Sequence, residues 1–433
     1  MENKINDFNS ELLKFLDSSV TPFHATNSMV EMLREAEFIE LNEDESWSLE
    51  SNKNYFVTRN ESSIIAFSYP EFNAQNSSSY GFTMMGAHTD SPNLKIKPSP
   101  VIINQKMIQL GVEPYGGVLL NPWFDRDLSI AGRVFFIDEN EKRSSAIINF
   151  EVPLGIISSL AIHLDKDANK NRTINAQTDI VPLIASGDEL CFEAMLMEQL
   201  VKEDHTPFKV LSHELSFYDT QKASSIGITE DFIASARLDN LLSCFVSTKT
   251  IIESANSETN SGVLMICSDH EEVGSESTSG AAGPFLENVL TRLTSSYEEH
   301  MKLLRNSIMI SCDNAHAIHP NFTSKHDANH APTINSGVVI KVNANQRYAS
   351  NGVTISKFVQ AANSINAPLQ EFVTRSDMGC GSTIGPITAT RLGIDTLDVG
   401  LPTFAMHSIR ELCGRDDAFS LHKILLQLTQ EEQ

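Results

Sequence analysis

Two adjacent glutamates, Glu271 and Glu272, follow the apolar run Val263–Cys267 after the short link Ser268-Asp269-His270, and Val273-Gly274 comes next. Neighbouring side chains diverge in direction. One carboxylate can therefore ligate a metal while the other faces the water that the metal activates. Metal-assisted hydrolysis requires this division between a ligand and a general base. A solvated acidic turn after a strand uses the same residues, and a lone Glu-Glu pair is more often that. The remainder of the chain has to decide between the two.

Polar groups recur just beyond apolar runs. Phe82–Ala87 reads as a buried strand and leads straight into His88-Thr89-Asp90. In open α/β sheets the carboxyl edge of the strands is where sites are built. A histidine with an aspartate two places on suits a metal ligand and a carboxylate that orients it; a capped turn is the plainer alternative. Ile308–Cys312 ends at Asp313, and Leu397–Gly400 precedes Ala405-Met406-His407. Asp239 opens the helix that Leu241–Val246 continue, either as an N-cap or as a carboxylate shared by two metals. His88, Asp239, Glu272, Asp313 and His407 suit a pair of zinc-like ions sharing Asp239, for which manganese or cobalt could substitute. Glu271 would then be the base, and Asp90 would hold the imidazole of His88. Lys341, inside the apolar strand Gly337–Val342, is either a snorkelling edge residue or a buried cation placed for an anion.

The elements that must position these residues fall into two textures. The chain has 433 residues, 41% of them apolar and 20% charged, which suits a folded protein of two domains. Helical spacing over Ile5–Leu16 and about Thr26–Ala36 leads to strands at Tyr55–Val57 and Ile64–Phe67, and Pro70–Ser79 reads as a loop. From Asn93 to about Ser235 short strands and turns dominate, with a helix expected over Asp188–Val201 and a local ion pair around Arg126. Residues 1–92 and 237–433 thus form one α/β domain, with 93–236 as a β-rich insertion. One long helix is expected from Pro284 to about Leu304. A net charge of -24 repels nucleic acid and anionic membranes, so those partners are set aside. Six scattered cysteines form no close pair and no Cys-x-x-Cys, which points away from disulfides. Met1–Asp7 carries no apolar signal core and no apolar run spans a bilayer, so a cytoplasmic location is expected.

Gly86-Ala87-His88-Thr89-Asp90-Ser91-Pro92, Arg237-Leu238-Asp239-Asn240 and Asp269-His270-Glu271-Glu272-Val273-Gly274-Ser275 resemble motifs of the aspartyl aminopeptidase family. So do Asp313-Asn314-Ala315-His316-Ala317-Ile318-His319-Pro320, Asn345-Gln346-Arg347-Tyr348-Ala349 and Ala405-Met406-His407-Ser408-Ile409-Arg410-Glu411. The resemblance runs from Pro22-Phe23-His24-Ala25 to Arg410. It implies an α/β/α catalytic domain with a mixed sheet, interrupted by a β-rich dimerisation domain, and dimers that assemble into a dodecamer. It implies two zinc ions per subunit, with His88 and Asp313 on one, Glu272 and His407 on the other, Asp239 bridging and Glu271 as base. It further implies a cis Asp239-Asn240 bond, and His163 reaching an active site across the dimer. Lys341 would meet the acidic side chain at the free N-terminus of a peptide substrate, with Tyr348 near the same pocket. A neutral-residue aminopeptidase or a deacylase on the same scaffold stays open. So does a silent self-assembling shell protein, although such a protein would normally have lost a ligand or the base.

Overall fold

The computed structural model describes residues 2–69, 81–257 and 262–431. The loop expected at Pro70–Ser79 lies outside the described residues.

A nine-stranded mixed sheet forms the centre of the molecule. Its middle is parallel: Gly262–Ser268, Phe82–His88, Ile308–Cys312 and Asp395–Gly400 lie side by side in that order. All seven residues of Phe82–His88 are buried, as a central parallel strand covered on both faces must be. Alternation along the strands feeds two separate cores. Met85, Met265 and Ile310 point to a layer built by the helices Glu2–Ser18, Pro22–Glu35, Leu238–Ser254 and Asp417–Gln430. Their neighbours Met84, Leu264 and Met309 point the other way, to Phe285, Val289 and Leu303. The result is a three-layered mixed α/β body.

A second, six-stranded sheet is antiparallel throughout and uses strands from Asn93–Asn104 to Pro207–Asp219. It closes over its own core, in which Leu94, Trp123, Ile130 and Phe217 pack with Phe192 and Leu196 of the helix Phe192–Lys202. A third sheet of five short strands joins Phe232–Ser235 to Glu411–Gly414, and Pro402–Phe404 to Ala315–His316.

Several elements depart from the periodicity reading. The second helix starts at Pro22, because Thr21 caps it by accepting from the His24 amide at 3.4 Å. The third helix starts at Phe192, beyond Asp188-Glu189. The long helix expected from Pro284 is two, Phe285–Arg292 and Tyr297–Arg305. Ser296 breaks it by capping the second, accepting from the Glu299 amide at 3.2 Å. Arg126 pairs with Asp219 at 3.2 Å, across the fold rather than with a sequence neighbour. All six cysteines are free thiols.

Candidate metal centre

The parallel strands deliver their carboxyl ends to one edge, and the site begins there. His88 is the last residue of its strand, and Asp313 follows Cys312 directly. Glu271 and Glu272 lie in a single 3-10 turn, Glu271–Val273, just beyond Ser268, whose register partner is His88. The other two candidates come from the five-stranded sheet. Asp239 follows Phe232–Ser235, and its peptide bond to Asn240 is cis. Its carboxylate does not serve as a helix cap: Oδ1 accepts no hydrogen bond among the described residues, and the two oxygens face His88 and His407. His407 occupies the loop between Pro402–Phe404 and Glu411–Gly414, with φ +69°.

Despite these separate origins, the side chains converge. Nε2 of His88 lies 3.5 Å from Oδ1 of Asp239 and 3.7 Å from Oδ1 of Asp313. Nε2 of His407 lies 3.5 Å from Oδ2 of Asp239 and 3.3 Å from Oε2 of Glu272. The two carboxylate oxygens of Asp239 therefore face two different triads, and within each triad the ligand atoms lie within 4.8 Å of one another. Glu271 reaches to 3.9 Å from Nε2 of His88.

The electrostatics describe a buried pocket short of positive charge. Burial, with the charges of Asp313, Asp239 and Asp90 against that of His88, pushes Glu271 up to about 7. Burial and the Asp239 charge push Glu272 up to about 9. Burial works against a charge on His407, but hydrogen bonding to Asp239 and the Glu272 carboxylate raise it to about 9. Oδ1 of Asp239 and Oε1 of Glu272 are buried acceptors with no hydrogen bond among the described residues. Such orphaned oxygens are costly unless a cation or donor meets them. Imidazole and carboxylate donors in two triads fit zinc, the borderline ion these ligands favour.

The surroundings refine the expected roles. Nδ1 of His88 contacts the backbone carbonyl of Asp90 at 2.9 Å, nearer than the Asp90 carboxylate at 3.4 Å. That carboxylate instead accepts the amides of Glu271 at 3.0 Å and Glu272 at 3.1 Å, and the Tyr115 hydroxyl at 2.7 Å. The Asp90 carboxylate thus holds the glutamate turn, while its backbone carbonyl meets the imidazole. Lys341 is buried and donates to Asp313 at 3.3 Å and to the Asn314 carbonyl at 3.0 Å, with its Nζ 5.1 Å from the centre of the Tyr348 ring. Burial opposes its charge, but Asp313, Tyr348, Asp398 and Asp239 together outweigh burial and raise its pKa. His163 stands apart on an exposed turn over residues 162–164.

Three positioning residues carry no role in the sequence reading: Tyr115, Asn240 and Glu411. Asn240 donates to the Cys312 carbonyl at 2.8 Å and ties the cis peptide to the strand that delivers Asp313. The Gly116-Gly117 pair after Tyr115 was the available signal. A Cβ on Gly116 would lie 3.0 Å from that of Glu272, and Gly117 offers its carbonyl to Nδ1 of His407 at 3.2 Å.

A family model described as Aminopeptidase I zinc metalloprotease (M18) matches residues 15–427. The chain belongs to the M18 aminopeptidase family. It is 51% identical over 424 residues to a "Probable M18 family aminopeptidase 2" of Pseudomonas fluorescens (strain Pf0-1), covering 97% of each chain. A structure described as "Cryo-EM structure of the Ape4 and Nbr1 complex" superposes with a TM-score of 0.94 at 36% identity, over 99% of this chain and 86% of that one. "Structure of S. cerevesiae mApe1 dodecamer" gives 0.85 at 24% identity, over 98% and 96%, and so speaks to fold alone. As an M18 member the protein is a zinc aminopeptidase, a peptide hydrolase. The aspartyl aminopeptidases that its motifs resemble belong to M18. Among the described residues no helix is long and apolar enough to cross a membrane.

Proposed function

We propose that this M18 aminopeptidase uses two zinc ions to release N-terminal residues, preferably Asp or Glu, from peptides. The observation that carries the two-ion reading is Asp239, whose two oxygens face separate triads, His88 with Asp313 and His407 with Glu272. His88 and Asp313 would hold one ion, Glu272 and His407 the other, and Asp239 both. When bound, the ions supply Lewis-acid polarisation of the scissile carbonyl and a water acidified towards neutral pH. Glu271, its carboxyl raised by burial, takes the proton of the attacking water and returns it to the leaving amine. Asp90 keeps that carboxylate aimed by holding the amides of Glu271 and Glu272.

Lys341 and Tyr348 support the acidic preference, because a buried ammonium is the kind of group that discriminates strongly for a carboxylate. A neutral-residue preference takes its support from the same lysine, which already pairs with Asp313. The insertion, residues 93–236, would be the dimerisation domain, with exposed His163 serving the developing oxyanion of a neighbouring copy. The dodecamer described for the yeast relative is the assembly this arrangement fits, and free thiols fit a reducing cytoplasm. The test is turnover of matched N-terminal Asp, Glu and Leu substrates, with and without chelator. Acidic substrates should lead and chelator should abolish all turnover; a Leu preference would overturn the acidic reading.

A further inference from the structure

Glu411 lies at the start of the strand Glu411–Gly414, opposite Ser235, and is 2% exposed. Its two oxygens serve two amides. Oε2 accepts from the backbone N–H of Asp239 at 2.9 Å, and Oε1 from that of His407 at 2.6 Å. One planar carboxylate therefore spans the shared ligand and the ligand furthest along the chain. The loop it holds needs a splint. Ala405 and His407 both adopt left-handed backbone, at φ +56° and +69°, which side-chain-bearing residues adopt at a cost of about 1 kcal/mol each. The same loop is held from the far side by the Leu119 amide, which donates to the His407 carbonyl at 3.0 Å, and by Ile409, buried in the core of the antiparallel sheet.

We infer that Glu411 is a positioning residue that fixes the spacing of Asp239 and His407, so that the Asp239–Glu272–His407 metal site is formed before its ion arrives. This rests on the two-ion reading above. Only a carboxylate can do this from one side chain. A carboxamide has one acceptor oxygen and would turn its NH2 towards the other N–H donor. The triad built around His88 and Asp313 shares only Asp239 with this splint, so the two ions should respond unequally.

The experiment is zinc titration of the metal-stripped protein against a competing chromophoric chelator, for the wild type and Glu411→Gln, repeated with cobalt to read the coordination spectrum. The wild type should take up two ions. In Glu411→Gln one ion should bind about 10- to 100-fold more weakly, the scale for lost support behind a metal ligand, with a changed cobalt spectrum for that ion. The other ion should be held nearly as before. Unchanged affinity for both ions in a folded variant would overturn the inference. A wild type that takes up a single ion would instead defeat the two-ion reading, and this inference with it. If Glu411→Gln does not fold, hydrogen exchange of the metal-free wild type decides. Slow exchange at the His407 and Asp239 amides supports a site formed in advance; exchange at the rate of an unstructured loop refutes it.

Discussion

The two halves of the proposed metal centre are built differently. The His88–Asp313 half stands on the ends of neighbouring parallel strands, and its side chains are 2% and 13% exposed. The ladder pairs His88 with Ser268, the Asp313 amide donates to the Val399 carbonyl at 2.9 Å, and one buried lysine steadies Asp313. The Glu272–His407 half stands on a 3-10 turn and a left-handed loop, and the His407 side chain is 29% exposed. No ladder reaches it. In its place come Asp90 on the glutamate turn, Glu411 on the histidine loop, and the close approach of Gly116 and Gly117. Candidate ligands on a sheet edge are positioned by the sheet, whereas those on loops rely on buried carboxylates for what the ladder does elsewhere.

The largest effect should come from the group that serves both halves. Glu271→Gln should bind both ions yet lose at least roughly two orders of magnitude in kcat, the scale of general-base catalysis. Metal analysis beside single-turnover kinetics checks this, and near-normal turnover would remove Glu271 from the role. Next comes the strand half. Lys341→Ala should lose turnover of Glu substrates about thirtyfold more than of Leu substrates, corresponding to about 2 kcal/mol for a lost hydrogen bond to a charged group. Equal losses would mean that Lys341 serves Asp313 alone. In the loop half, Gly116→Ala adds a Cβ 3.0 Å from the Glu272 Cβ at φ +69°. The strain of about 1–2 kcal/mol should appear as a roughly tenfold weaker ion on that half only, read by chelator competition. The smallest effect is expected for Tyr115→Phe, which leaves Asp90 its two amide donors. A loss of about 1 kcal/mol, near fivefold in kcat/KM, should result, and no change would show that the hydroxyl merely fills space.

The same contrast governs what the sequence made legible. The strand half announced itself. The short apolar run Phe82-Thr83-Met84-Met85-Gly86-Ala87 reads as a buried strand, and a polar residue at the end of such a strand falls on the sheet edge where sites are built. Glu272 was found because two carboxylates in succession are conspicuous. His407 and Asp239 were candidates only as polar residues beside apolar runs, and Asp239 read equally well as a helix cap, since loop residues carry no periodicity that points to a site. Glu411 and Tyr115 were missed as positioning groups because their work is done on backbone amides, which look alike in every sequence. Asp90 was expected to hold the imidazole of His88, but its carboxylate accepts from the glutamate turn 181 residues further on. The helix starting at Pro22 and the break at Ser296 were cap decisions, where one side-chain hydrogen bond outweighs a continuing apolar pattern.

The most direct measurement is anomalous diffraction at the zinc edge from crystals of the zinc-loaded protein. Two peaks are predicted, one among His88, Asp239 and Asp313, the other among Asp239, Glu272 and His407, each in contact with a different oxygen of Asp239. A single peak, or a second peak away from His407, would contradict the shared-carboxylate centre.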